Sequence, residues 1–277
     1  MNSVKIEEIE LKLLLEGIYQ MYDYDFRDYS PASIKRRVHK CMGYLGVKSV
    51  SALQDKVLHE KKSFGRFLET VSVNVTSMFR DPDFFLAVRQ SVFPMLTELP
   101  FIRIWHAGCA AGEEVYSMAI MLKEENLYDK VRIYATDMNE SALETARNGI
   151  YSLYRMQDYA VAYQKAGGRF DFSQYFRAKY DNIIMNKELN TNIVWARHNL
   201  ATDGSFNEFD IIICRNVMIY FDKQLQERVY KLFTNSLTIG GILGLGKKET
   251  IKSSDSRNNY AELDAHVKLY KRILSKQ

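Results

Sequence analysis

From residue 102 onward, short β-branched runs alternate with helical stretches. They read IRIWH, a helix from about Glu113, VRIYATD, a helix near Ser141–Asn148, NIVWARHNL, FDIIICRN, a helix from Asp222, and GGILGLG. A strand that returns parallel to its predecessor needs a crossover of a dozen or more residues, usually a helix. The alternation therefore specifies βαβ units around a parallel sheet. The tail HVKLYKRIL supplies one or two further strands. Segment 151–188, between the second and third strands, is longer than one crossover helix requires and rich in Tyr and Phe, which predicts a helix plus a small insertion.

The first 72 residues read differently. Ile6, Ile9, Leu13, Ile18 and Met21 recur at roughly helical spacing and predict an amphipathic helix that buries this face. Ser30-Pro31 starts a second helix, with serine as N-cap, and Gly43 or Gly46 ends it. Val50, Leu53 and Val57, then Phe64, Phe67, Leu68 and Val71, continue the helical pattern. The expected organisation is an all-α N-terminal domain over 1–72 and an α/β domain over 73–277 that carries the insertion at about 151–188.

Charge is segregated within the helical part. Residues 1–28 hold seven acids against three bases, and residues 29–66 hold nine bases against two acids. One face should be basic, densest at Lys35, Arg36, Arg37, His39 and Lys40, a solvated helix face or a docking surface for an acidic partner. Nucleic acid is not expected: 38 bases against 34 acids leave only +4 overall, and the patch lacks interleaved aromatics. Cys41, Cys109 and Cys214 form no CxxC pair, so neither a disulfide framework nor a metal site is predicted. The amino terminus is acidic where a signal peptide would be basic, and no apolar run reaches the ~20 residues of a membrane span. A cytoplasmic monomer without membrane insertion is expected.

In an open parallel sheet the ligand binds outside the carboxyl ends of the strands, where strand order reverses. The first strand is followed by Gly108-Cys109-Ala110-Ala111-Gly112-Glu113-Glu114, small residues that let backbone approach a ligand. The spacing is not GxGxxG, and carboxylates at the helix start stand where a dinucleotide pyrophosphate would sit. A nicotinamide cofactor is disfavoured, whereas S-adenosylmethionine brings an ammonium and a sulfonium that a carboxylate attracts. Asp137, ending the second strand, can accept from ribose hydroxyls, and Asn199-Leu200 after the third can bracket a purine. His106 and His198 are expected to pack or cap.

Taken together, NVTSMFRD (74–81), WHAGCAAGEEVYSMA (105–119), ATD (135–137), HNL (198–200) and FDIIICRNVMIYFD (209–222) resemble the CheR family of chemoreceptor glutamate methyltransferases. The resemblance covers nearly the whole chain. It implies a Rossmann-like S-adenosylmethionine-dependent methyltransferase domain behind a small helical domain, with methyl transfer to glutamate side chains of a chemoreceptor's cytoplasmic domain and S-adenosylhomocysteine as product. Carried over by position, the cofactor pocket falls on Asn74, Thr76, Arg80, Gly108, Glu114, Asp137, Asn199, Leu200, Arg215 and Asn216. Arg80 and Tyr220 become the pair orienting the reacting carboxylate, and Arg36 and Arg37 match the receptor-facing region.

The chain also departs from the family. Met78-Phe79 replaces two phenylalanines, and Gly244-Leu245-Gly246-Lys247-Lys248-Glu249 stands where many members carry a Gly-His-Ser-Glu-like turn. No glycine lies between Gln174 and Asn186, where some members have a glycine-containing hairpin that grips a receptor tail. A non-catalytic S-adenosylmethionine-binding signalling module, or a methyltransferase for a small carboxylic acid, are the alternative readings.

Overall fold

The structure is a computed structural model that describes residues 3–72 and 76–274. Four helices open the chain: α1 (Ser3–Tyr22), α2 (Pro31–Leu45), α3 (Val50–His59) and α4 (Lys61–Val71). They share one apolar core that includes Leu14, Leu15, Ile18, Phe26, Ile34, Val38, Leu53, Val57 and Phe67. The face of α1 differs from the sequence expectation. Ile18 is buried, but Ile6, Ile9, Leu13 and Met21 are 40–62% exposed. The helix has two apolar faces. Leu11, Leu14, Leu15 and Ile18 form an unbroken i, i+3, i+4, i+7 set, whereas the Ile6–Ile9–Leu13 stripe meets Gly17, which has no side chain to extend it. Burial of each Leu or Ile favours the continuous set by about 1.5–3 kcal/mol per side chain.

Helix α2 starts at Pro31 as read, and Gly46 ends it with φ +66°. Ser30 occupies the N-cap without using its hydroxyl; its carbonyl instead accepts the amides of Ser33 and Ile34. Asp81-Pro82 opens α5 (Pro82–Ala87), which runs through a π-helical turn over Val88–Val92 into α6 (Phe93–Leu96).

The α/β part follows as β1 (Ile102–Ala107), α7 (Glu113–Glu124), β2 (Val131–Asp137), α8 (Glu140–Asn148), β3 (Ile150–Ser152), α9 (Met156–Lys165), β4 (Phe176–Lys179), β5 (Asn182–Met185), β6 (Ile193–Arg197), β7 (Phe209–Cys214), α10 (Lys223–Ser236), β8 (Leu237–Leu245), β9 (Tyr260–Asp264) and β10 (Leu269–Arg272). The main sheet has order β6-β2-β1-β7-β8-β10-β9. Its first five strands run parallel, and β10 pairs antiparallel with both β8 and β9. The tail HVKLYKRIL thus contributes one strand, and the other lies upstream at Tyr260. Strand order reverses beside β1, which places the ligand end at the loops after β1, β2, β6 and β7.

Segment 150–185 holds α9 and a three-stranded antiparallel sheet of order β3-β5-β4. A hairpin joins β4 and β5 without glycine, because Tyr180 takes the left-handed conformation at φ +54°. A buried acid holds this insertion to the core. The Glu124 side chain is 1% exposed and accepts from Arg89 at 2.5 Å, from Tyr175 at 2.7 Å and from the Tyr163 hydroxyl. Removing one partner of a buried ion pair leaves an uncompensated charge. Glu124→Ala is expected to lower the unfolding free energy by about 3–5 kcal/mol in urea titration, and Arg89→Ala by a similar amount.

Candidate active site

At the predicted end of the sheet lies a cleft of about 890 Å³. Ten of the sequence-derived residues line it: Thr76, Arg80, Gly108, Glu114, Asp137, Asn199, Leu200, Arg215, Asn216 and Tyr220. Asn74 lies outside the described residues. Arg36 is exposed on α2, away from the cleft, and Arg37 departs from the expected docking role. Its side chain is buried: the guanidinium lies 4.3 Å from the Tyr220 ring centroid and donates to the Val71 carbonyl at 2.9 Å. Of the basic cluster, Lys35 and His39 both pair with Glu7, which leaves Arg36 and Lys40 as its outward charges.

The loop after β1 follows from backbone chemistry. Gly108 has φ +76°, and a Cβ there would lie 2.5 Å from Val217 Cγ2. Gly112 has φ +88°, and its Cβ would lie 2.7 Å from Ala146 Cβ. Only glycine meets both demands cheaply. The amides of Gly108 and Cys109 donate to the Thr136 carbonyl, and Asp137 accepts the Ala110 and Asn139 amides, each at 2.9 Å. Burial pushes the Asp137 carboxyl up, opposed by these backbone donors. Each oxygen keeps a second acceptor site, and a carboxylate offers about four.

The two acids at the start of α7 part company. Glu113 turns away toward Arg155 and Tyr159, both at 3.4 Å, so only Glu114 lines the cleft. Glu114 accepts from His106 Nδ1 at 3.1 Å and from Arg215 at 2.9 Å. Burial pushes its carboxyl up, but the His106 hydrogen bond and the Arg215 charge outweigh it and hold it below the usual range. Arg215 is itself 1% exposed in its side chain, with its second terminal nitrogen 2.7 Å from Asp81 and its guanidinium carbon 4.2 Å from the Phe84 ring centroid.

Two groups at the site were not legible in sequence: Tyr29, which lines the cleft, and Glu249, which is buried behind one of its loops. Tyr29 comes from the helical part; its ring packs edge-on against Phe221 at 5.1 Å, and its hydroxyl donates to Met138 Sδ at 3.4 Å. Glu249, in the turn after β8, accepts backbone amides of the Asn216–Ile219 loop. The turn keeps Gly246 and Glu249 at its first and fourth positions, so the departure from a Gly-His-Ser-Glu-like turn is confined to Lys247 and Lys248. His198 donates its backbone amide to the Asp137 carbonyl and sets its ring edge-on to Trp105; His106 is fully buried against Glu114.

The cleft fits S-adenosylmethionine. Asn199 Nδ2 is buried with no hydrogen-bond partner among the described residues, an amide donor that a purine ring nitrogen would satisfy. The glycine cradle at 108–112 opens on the same space as the acids Glu114 and Asp137. A mostly parallel sheet with such a cleft at its switch point, lacking the phosphate-binding glycine spacing and carrying Glu114, Asp137 and the orphan Asn199 amide, fits the class of S-adenosylmethionine-dependent methyltransferases.

Comparison with known proteins narrows the class. Residues 74–267 match the family model described as CheR methyltransferase, SAM binding domain, and residues 9–72 match CheR methyltransferase, all-alpha domain. Cher3 of Pseudomonas putida is 46% identical over 272 residues, covering 98% of this chain and 100% of that one. The chemotaxis protein methyltransferases of Borreliella burgdorferi and Listeria monocytogenes are 29% and 30% identical, covering 91% and 82% of this chain and 92% and 84% of theirs. The chain belongs to the CheR methyltransferase family.

Gly108→Ala is expected to weaken S-adenosylhomocysteine binding by about tenfold or more, a loss of about 1.4 kcal/mol per decade, in isothermal titration. Because the clash is with Val217, adding Val217→Ala should recover part of the loss.

Proposed function

We propose that the chain transfers the S-adenosylmethionine methyl group to side-chain glutamates in the cytoplasmic region of a chemoreceptor, acting as a cytoplasmic monomer. Residues 1–72 dock the acidic partner, and residues 73–277, with the insertion at about 151–188, perform the transfer. The observation that carries this reading is that Arg80 and Tyr220 line the same cleft as the cofactor-facing Glu114, Asp137 and Asn199, beside a helical unit whose α2 presents Arg36 and Lys40 outward. The names of the Borreliella and Listeria relatives support the receptor pathway.

Glu114 and Asp137 would meet the amino-acid and ribose parts of the cofactor, Asn199 and Leu200 its purine. When bound, the cofactor supplies an electrophilic methyl on a sulfonium. A glutamate side chain, with an ordinary pKa of about 4.3, is already the nucleophile at neutral pH and needs no general base. The protein's task is therefore alignment, which can supply up to about 7–11 kcal/mol in well-oriented reactions. Arg80 offers a planar fork for the incoming carboxylate, and Tyr220 faces the same space. Too tight an ion pair would blunt the nucleophile, so Arg80 positions with limited neutralisation. No helix among the described residues is long and apolar enough to cross a membrane.

The test is transfer of labelled methyl to receptor cytoplasmic fragments, scored as base-labile label. Arg80→Ala should reduce it by about 100-fold or more, in line with loss of a positioning charge at the reacting group. Label on the wild type that resists base, or an unaffected Arg80→Ala, defeats the reading. Arg36→Ala is expected to raise KM for the receptor fragment about threefold with kcat unchanged, and the effect should fade as salt shortens the ~10 Å screening length.

A further inference from the structure

The turn after β8 holds a buried acid that the mechanism above does not use. Glu249 is 5% exposed, yet no cation among the described residues pairs with it. Its two oxygens instead collect four backbone amides. Oε1 accepts from Val217 at 2.9 Å and Ile219 at 3.3 Å; Oε2 accepts from Asn216 at 3.0 Å and Gly246 at 2.6 Å. All four acceptor sites of a carboxylate are thereby occupied. Three of the donors belong to one loop, the Asn216–Tyr220 passage between β7 and α10.

That loop ends in one 3-10 turn, Met218–Tyr220, while Asn216 and Val217 before it belong to no helix or strand. Asn216 sits at φ +62°, a conformation that costs a non-glycine residue energy unless its surroundings fix it. The turn points the amides of Asn216, Val217 and Ile219 inward, and buried donors without acceptors are costly. The loop also carries cleft groups at both ends: Asn216 and Val217 beside Gly108, and Tyr220 beneath Arg37. Gly246 completes the arrangement, because a Cβ there would lie 2.7 Å from Glu249 Oε2 and 2.8 Å from the Asn216 amide. The adjacent Lys247 reaches Asp83 at 2.9 Å and Asp81 at 3.7 Å, and Asp81 is the acid that pairs with Arg215.

We infer that Glu249 is a positioning residue for methyl transfer: its buried carboxylate moulds the 216–219 backbone and so sets where Asn216 and Tyr220 stand in the cleft. The inference rests on the assignment of Tyr220 to the reacting centre. Glu249→Gln is the informative variant, since it keeps the shape but turns an amino group toward amide donors.

The full chain, Glu249→Gln and Glu249→Ala are compared by amide hydrogen exchange, S-adenosylhomocysteine titration and methyl transfer to receptor fragments. Exchange within 215–221 should quicken about tenfold or more in both variants, with β2 unchanged as internal reference. S-adenosylhomocysteine binding should weaken about threefold or more, and kcat should fall about tenfold while KM for the receptor fragment moves less than about threefold. In a Tyr220→Phe background the further loss from Glu249→Gln should shrink, because coupled sites are not additive. Unchanged exchange at 215–221, or an undiminished kcat, overturns the inference. Faster exchange throughout the sheet also overturns it, by showing a merely structural acid. If the wild type transfers no methyl, the receptor reading fails by itself, and the local exchange and S-adenosylhomocysteine affinity still decide the role of Glu249.

Discussion

A charge almost wholly removed from water organises this site. The Arg215 side chain carries a charge, and an isolated buried charge is prohibitively costly. It is stable here because three groups from two parts of the chain converge on it: Glu114 from the first turn of α7, and, just before α5, the Asp81 carboxylate and the Arg80 carbonyl at 3.0 Å. Phe84 and Phe85 close over its face at 4.2 and 5.7 Å. Arg80 is thus presented to the cleft by a backbone whose carbonyl is already held, and the His106 hydrogen bond together with the same guanidinium holds the Glu114 carboxyl below its usual range against burial. Such an arrangement contributes position more than net stability, since desolvating three charged groups consumes much of what their attraction returns.

Much of this was legible in the sequence because it depends on local rules. The alternation of β-branched runs and helices gave the sheet, and the ends of β1, β2, β6 and β7 named the cleft. Gly108, Glu114, Asp137, Asn199 and Arg215 follow from that topology with the motifs that surround them. What escaped depends on contacts between distant segments. Two apolar stripes of α1 have similar periodicity, and only packing in the shared core, chiefly against α3, selects Leu14 and Ile18. Arg36 and Arg37 are indistinguishable in a string, but successive helix positions point about 100° apart, so one faces solvent and the other Tyr220. Glu249 lies more than thirty residues beyond the loop it holds.

The helical unit and the sheet meet at a small, specific junction. Tyr29 and Phe221 form an isolated antiparallel bridge, the Ser30 amide donates to the Tyr220 carbonyl at 2.8 Å, and the Asp222 amide donates to the Asp28 carbonyl at 2.9 Å. The segment entering α2 is thereby hydrogen-bonded to the backbone on either side of Phe221, beginning at the Tyr220 carbonyl. Arg37 adds a side-chain contact across the same seam.

This seam has a metrical consequence. With α2 bonded to the tyrosine segment by backbone as well as by Arg37, the span from the outward Arg36 to the cleft is a fixed length of protein. A partner gripped at one place offers for reaction only what lies one such span away. If Arg36 holds the partner as proposed, that fixed span sets how far from the point of contact a reacting carboxylate lies, as a gauge does.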